Sequence, residues 1–157
     1  LIKNAKNIYF FCVGTSSIAA KNSYLRFYRA GIKSTVYNDP AEMGIAASLA
    51  VEGDVAIALS YSGKTEVVNT AVKIAQKNGA KAIAITGPSK SPLIKMADLK
   101  ITTQYEELDD YLLTSYARLS QILILDIIYT GVVEQNLDFA VKSVQKVSSN
   151  AIDVLHH

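Results

Sequence analysis

Histidine is nearly missing from this chain: the two present, His156 and His157, are its last residues. The body of the protein therefore offers no imidazole for acid–base work near neutral pH. Tryptophan is absent and there is a single cysteine, Cys12, so no disulfide within the chain is possible. A lone thiol inside an apolar run reads as a small buried side chain, not a nucleophile, and points to a reducing, cytoplasmic setting. No apolar run approaches the ~20 residues needed to cross a bilayer, and no signal-peptide pattern is visible. An excess of one charge is also lacking: 16 basic against 14 acidic residues give a formal net charge of +2. The basic residues are scattered (Lys3, Lys6, Lys21, Arg26, Arg29, Lys33, Lys73, Lys77, Lys81) and form no stripe interleaved with aromatics. That pattern argues against direct nucleic-acid binding by this segment.

What remains is an ordinary globular composition. Half of the 157 residues are hydrophobic and 19% are charged, which suits one domain with a sizeable core. Short apolar runs alternate with longer amphipathic ones. Strands are expected at 8–13, 34–37, 54–59, 81–86 and 99–102, and helices at 17–30, 40–50, 65–77, 109–133 and 137–155. Ser91-Pro92 opens a further single helical turn through Ala97. Asn38 or Asp39 caps the second helix, with Pro40 at its first position. The runs at 8–13, 54–59 and 81–86 are continuously apolar, as strands buried on both faces are. Alternation with helices then predicts a three-layer α/β/α sandwich around a five-stranded parallel sheet of flavodoxin-like order 2-1-3-4-5. A composition shift at Gln135-Asn136 separates a body of 1–135 from a helical tail of 136–157. In the tail Leu137, Val141, Val144, Ala151 and Leu155 form an apolar stripe, to be buried on the domain or against a second copy. Residues 1–5 read as the end of a helix already under way, and the chain begins without methionine. It is expected to be a piece of a longer protein.

In the 2-1-3-4-5 order, strands 1 and 3 are neighbours and the chain reverses direction between them. Ligands bind at that crevice, beyond the carboxyl ends of the strands. The two loops that meet there are Gly14-Thr15-Ser16-Ser17 and Ser60-Tyr61-Ser62-Gly63-Lys64-Thr65. Each precedes a helix, whose unpaired N–H groups and dipole favour an anion. Neutral hydroxyls on Ser60, Ser62 and Thr65 add donors, and a phosphate is the natural guest. Taken singly, Thr65 and Ser16 or Ser17 are ordinary helix caps; their clustering at one switch point is what favours a site. A nucleotide-hydrolysing P-loop is disfavoured, because Ala58 stands where that pattern needs a glycine. Gly14 likewise lacks the spacing of the dinucleotide fingerprint. No cofactor or metal site is read.

The two loops, together with Ser91-Pro92-Leu93-Ile94-Lys95-Met96-Ala97-Asp98, resemble the sugar isomerase (SIS) domain family over residues 5–135. Within that family the chain is most similar to the effector domain of RpiR-type transcription regulators. That likeness rests on Ser60-Tyr61-Ser62-Gly63 and on Thr114-Ser115-Tyr116-Ala117-Arg118-Leu119-Ser120-Gln121. The resemblance implies that Ser16, Ser60, Ser62 and Thr65 hold the phosphate of a phosphorylated sugar or amino sugar. It implies that Gly14 and Gly63 let the backbone approach closely, with Thr15 beside them. Tyr61 either lines the sugar pocket or packs on the sheet edge, and Lys64 either adds charge to the site or is simply exposed. Glu106 or Glu107 stands near where the family places its catalytic glutamate; in a binding domain the same carboxylate accepts sugar hydroxyls. The lack of histidine favours sensing over aldose–ketose isomerisation. Arg118 and Gln121 line a subunit interface or reach the ligand, unless the arginine merely snorkels. The expected whole is a homodimer or higher homo-oligomer that contacts DNA only through a missing N-terminal helix-turn-helix domain and has no membrane partner. A phosphosugar isomerase and a structural dimerisation module are the alternatives.

Overall fold

The computed structural model of the chain describes residues 1–87, 90–103 and 114–155, with the backbone only for 114–117 and 153–155. Its strands are β1 (Ile8–Cys12), β2 (Ser34–Tyr37), β3 (Val55–Leu59), β4 (Lys81–Thr86) and β5 (Leu99–Thr102). Its helices are α1 (Ser16–Arg29), α2 (Pro40–Leu49), α3 (Glu66–Lys77), α4 (Pro92–Met96), α5 (Thr114–Glu134) and α6 (Leu137–Leu155). The sheet order is β2-β1-β3-β4-β5 and all four pairings are parallel. Fold class and element order follow the sequence reading, with bounds shifted by a residue or so, except that the expected start of the long helix at 109 lies outside the described residues. The N-terminal stretch is a 3-10 turn, Ile2–Asn4, where the end of a longer helix was expected.

The central strands alternate large and small residues, and the alternation separates the two cores. Ile57, Leu59, Ile83 and Ile85 face one side, with Phe10, Phe27 and Leu125 from β1, α1 and α5. Ala56, Ala58, Ala82 and Ala84 face the other, against Ala46 and Ala47 of α2 and Val68, Ala71, Val72 and Ala75 of α3. Small side chains on both partners let α2 and α3 lie close to the sheet, while the branched face fills the wider gap under α1 and α5. Asp39 settles the cap of α2: its Oδ1 accepts from Ala41 N at 2.8 Å and Glu42 N at 3.1 Å.

The amino edge of the sheet is held by Asp54, 1% exposed just before β3. Its carboxylate accepts from Asn7 Nδ2 at 2.9 Å, Tyr9 Oη at 3.1 Å and Val51 N at 3.0 Å. On the outer face of the sandwich, Arg26 of α1 pairs with Asp126 of α5 and lies 4.4 Å from the centre of the Tyr129 ring.

The tail departs from the expected stripe. Leu137 and Val141 are exposed, whereas Ala140 is buried, and Phe139 and Ser143 sit so close over Gly31 that no side chain fits there. Past Val144, every residue of α6 whose side chain is described is exposed. The stripe was read from spacing alone, and the body offers this helix only one end to pack on.

Candidate anion-binding site

β1 and β3 are adjacent, with Cys12 beside Leu59 in register, so the loops that follow leave the sheet side by side. The first loop carries Gly14 in the left-handed region (φ 58°) and delivers Ser16, 8% exposed, to the start of α1. Ser17 turns its hydroxyl back to Gly14 O at 2.7 Å, capping the turn. Gly14 and Thr15 are exposed, and an added Cβ at Gly14 would meet nothing within 4 Å, which leaves its backbone open to a ligand.

The second loop is more tightly built. Ser60, 3% exposed, accepts from Gly63 N through Oγ at 3.0 Å and shares a hydrogen bond with Thr65 Oγ1 at 2.9 Å. Ser62 Oγ accepts from Lys64 N at 3.2 Å, which leaves its own O–H to donate. Thr65 occupies the cap position of α3, yet its side chain makes no capping bond. Its hydroxyl is committed to the loop instead, so the ordinary-cap reading of Thr65 does not hold. Gly63 has φ 63°, and a Cβ there would run into the Ser91 side chain. The Tyr61 carbonyl accepts from Gly87 N at 2.9 Å and Thr86 Oγ1 at 3.3 Å, and the Tyr61 side chain is half-buried. Lys64 is exposed.

Three further residues border this candidate site and were not assigned to it by sequence reasoning. Thr86 and Ser91 are 1% and 2% exposed; Ser91 caps α4, accepting from Ile94 N at 3.4 Å, and backs Gly63. Asn69 of α3 donates to Gly63 O at 3.3 Å. Thr86 ends an apolar strand and Ser91 opens a Ser-Pro turn, so both had signals; Asn69, within an amphipathic helix, had none. Gln121 is 2% exposed with its Nε2 unpaired, whereas Arg118 is half-buried. Glu106 and Glu107 lie outside the described residues.

Hydroxyls and main-chain N–H groups face the crevice at the N-termini of two long helices, with no buried charge of either sign among these residues. Such a nest suits a multiply charged anion bound by neutral donors. Elsewhere, a cavity of about 240 Å³ lies at the opposite edge of the sheet, bordered by Lys3, Lys6, Gly31 and Phe139, without a comparable hydroxyl cluster. Among the described residues no three His, Cys, Asp or Glu side chains are grouped to hold a metal ion, and no helix is long and apolar enough to cross a membrane.

These features define an α/β domain with a candidate small-anion site at its topological switch point. The SIS domain profile matches residues 1–130, and the chain belongs to that family. It is 36% identical over 149 residues to an uncharacterized HTH-type transcriptional regulator of Clostridium perfringens, a match covering 95% of this chain and 53% of that protein. It is 35% identical over 136 residues to the HTH-type transcriptional regulator RpiR of Escherichia coli, covering 87% of this chain and 46% of RpiR. The chain thus spans about half the length of these curated relatives. Among solved structures, the Vibrio vulnificus NanR protein complexed with ManNAc-6P superposes with a TM-score of 0.86 at 25% identity, over 98% of this chain and 58% of that one.

Proposed function

We propose that this chain is the phosphosugar-sensing domain of an RpiR-like transcription regulator. The observation that carries the reading is the neutral nest of Ser16, Ser60, Ser62 and Thr65, with the main chain at Gly14, Thr15, Tyr61 and Gly63, between the N-termini of α1 and α3. Likeness to a NanR protein complexed with ManNAc-6P supports a phosphorylated sugar or amino sugar as the ligand. Regulation works by bias: the ligand binds one arrangement of a homodimer better than another, and that arrangement positions a DNA-binding domain outside this chain. A second copy is the proposed partner because Leu119, Leu123 and Ile127 on α5 and Val147 and Ile152 on α6 are exposed apolar residues. The body, 1–135, carries the site, and the tail, 136–157, lies at the dimer contact. The regulator works in the cytoplasm.

Thermal unfolding against a panel of sugar phosphates and their unphosphorylated forms tests this. A ligand at a hundredfold excess over its Kd stabilises the folded state by about 2.7 kcal/mol. For a chain of this size that is a rise in Tm of roughly 5–10 °C. The rise is expected with phosphorylated sugars alone and without their conversion in a turnover assay. No rise with any of them would reject the sensor, and turnover would replace it with an isomerase.

A further inference from the structure

Asn69 sits one turn into α3, 7% exposed, beneath the Ser60–Thr65 loop. Its Nδ2 donates to Gly63 O at 3.3 Å, and the Leu93 N–H of α4 donates to the same oxygen at 3.2 Å. Two helices therefore draw the Gly63 carbonyl inward. A trans peptide is planar, with its C=O and N–H pointing in opposite directions. Holding the oxygen in thus turns the Lys64 N–H out, where it donates to Ser62 Oγ. Gly63 has φ 63°, and a glycine tolerates either orientation of the following peptide. Turned over, that peptide would rotate Lys64 φ as well, take the Lys64 N–H off Ser62 Oγ and leave a carbonyl oxygen in its place.

The other end of the Asn69 side chain is informative too. Among the described residues its buried Oδ1 has no hydrogen-bond partner. An unpaired buried acceptor is destabilising, and an apolar side chain of the same shape avoids the loss. Packing alone therefore favours leucine at this position. What asparagine adds is the bond to Gly63.

We propose that Asn69 is a positioning residue for the anion site, acting through the Gly63–Lys64 peptide to keep its N–H on Ser62 Oγ, so that the Ser62 O–H is left to donate to the ligand. This rests on reading the loop as the phosphate site of a phosphosugar sensor. The test compares the wild-type chain with Asn69→Leu, using inorganic phosphate and ManNAc-6P as probes in titration calorimetry, with ligand-free crystal structures of both. In Asn69→Leu the Tm is expected to hold or rise, the affinity for the probes to fall about tenfold, and the Gly63–Lys64 peptide to turn. Unchanged affinity, or an unturned peptide in the variant, overturns the inference. Should Asn69→Leu fail to fold, Asn69→Asp keeps the shape, removes the donor and sets a like charge under the anion. It is expected to lose binding more severely, and wild-type affinity in it would equally overturn the inference. A wild-type chain that binds neither ManNAc-6P nor any other sugar phosphate rejects the sensor reading instead, and the peptide orientation in the variant then decides the role of Asn69 alone.

Discussion

The Ser60 and Thr65 hydroxyls lie 2.9 Å apart and tie together the two ends of the loop between β3 and α3. One of the two protons is spent on the bond between them; the other is free to donate. Thr65 makes no capping bond, so its hydroxyl is not needed by the helix. Thr65→Val is expected to lower Tm by roughly 2–4 °C, the worth of the bond to Ser60, while phosphosugar affinity falls at least about tenfold, the worth of one charge-assisted hydrogen bond. Thermal unfolding of the variant reads the first, and calorimetric titration with the best sugar phosphate reads the second. Wild-type affinity would remove Thr65 from the site.

The two loop glycines answer differently to alanine. At Gly63 a Cβ meets Ser91 and comes within 2.7 Å of Thr86 Oγ1, on top of the left-handed backbone. Gly63→Ala is expected to cost about 3 kcal/mol or more, a fall in Tm of roughly 6–12 °C. Gly14 has the same backbone region but open space, so Gly14→Ala costs only the ~1–2 kcal/mol of left-handed strain. Equal denaturant midpoints for the two variants would contradict the packing described at Gly63.

Asp54 anchors the far edge of the sheet with three accepted hydrogen bonds. Asp54→Ala leaves the Asn7, Tyr9 and Val51 donors without a partner in or near the interior. A loss of about 3 kcal/mol is expected in urea unfolding. Lys81 is exposed and meets Asp98 at 2.8 Å as a surface pair, so Lys81→Ala is expected to cost less than Asp54→Ala. The order of these two losses is the check.

Two raised pKa values give the fold an alkaline limit. Burial pushes the Cys12 thiol from 9.0 up to about 12, against a small opposing pull from Lys21. Burial, with the neighbouring Asp54 carboxylate, raises Tyr9 from 10.0 to about 12. As pH rises from about 9 to about 12 the unfolded chain loses these protons first. The folded state then holds more protons, and stability falls with rising pH. Below pH 8 neither group titrates in either state and neither contributes a slope. Urea midpoints at pH 7 and pH 10.5 should show the drop, and Cys12→Ala should make it shallower. An unchanged slope in that variant would mean the thiol is not protected.

Beyond Val144, every residue of α6 whose side chain is described is exposed. Removing residues 146–157 is expected to leave the Tm within about 2 °C, since exposed terminal segments add little to the cooperative core. The same truncation is expected to weaken the dimer in sedimentation experiments. A dimer unaffected by it would place the contact on α1 and α5 instead.

Much of this molecule was legible residue by residue. Continuous apolar runs marked β1, β3 and β4, and Pro40 and Ser91-Pro92 marked helix starts. The convergence of Gly14-Thr15-Ser16 with Ser60 to Thr65 followed from strand order alone, because parallel crossovers leave few topologies open. Less visible was the division of labour inside the loop. Thr65 has the sequence look of a cap but spends its hydroxyl on Ser60, and Asn69 reads as one more polar residue in an amphipathic helix. In the tail, helical spacing says which residues share a face, not whether another element or a second copy lies against that face.

The sequence by itself determined the elements, their order and the place of the site, since propensity, periodicity and turn chemistry act over a few neighbouring residues. Only the tertiary structure decided which groups the site would use and how they point. Ser91 and Thr86 come to lie behind Gly63, and Asn69 beneath its carbonyl, because β4, α4 and α3 pack around that loop. Hydrogen-bond direction and steric room depend on distances between residues far apart in the chain, and those distances exist only once the two cores have closed on the sheet.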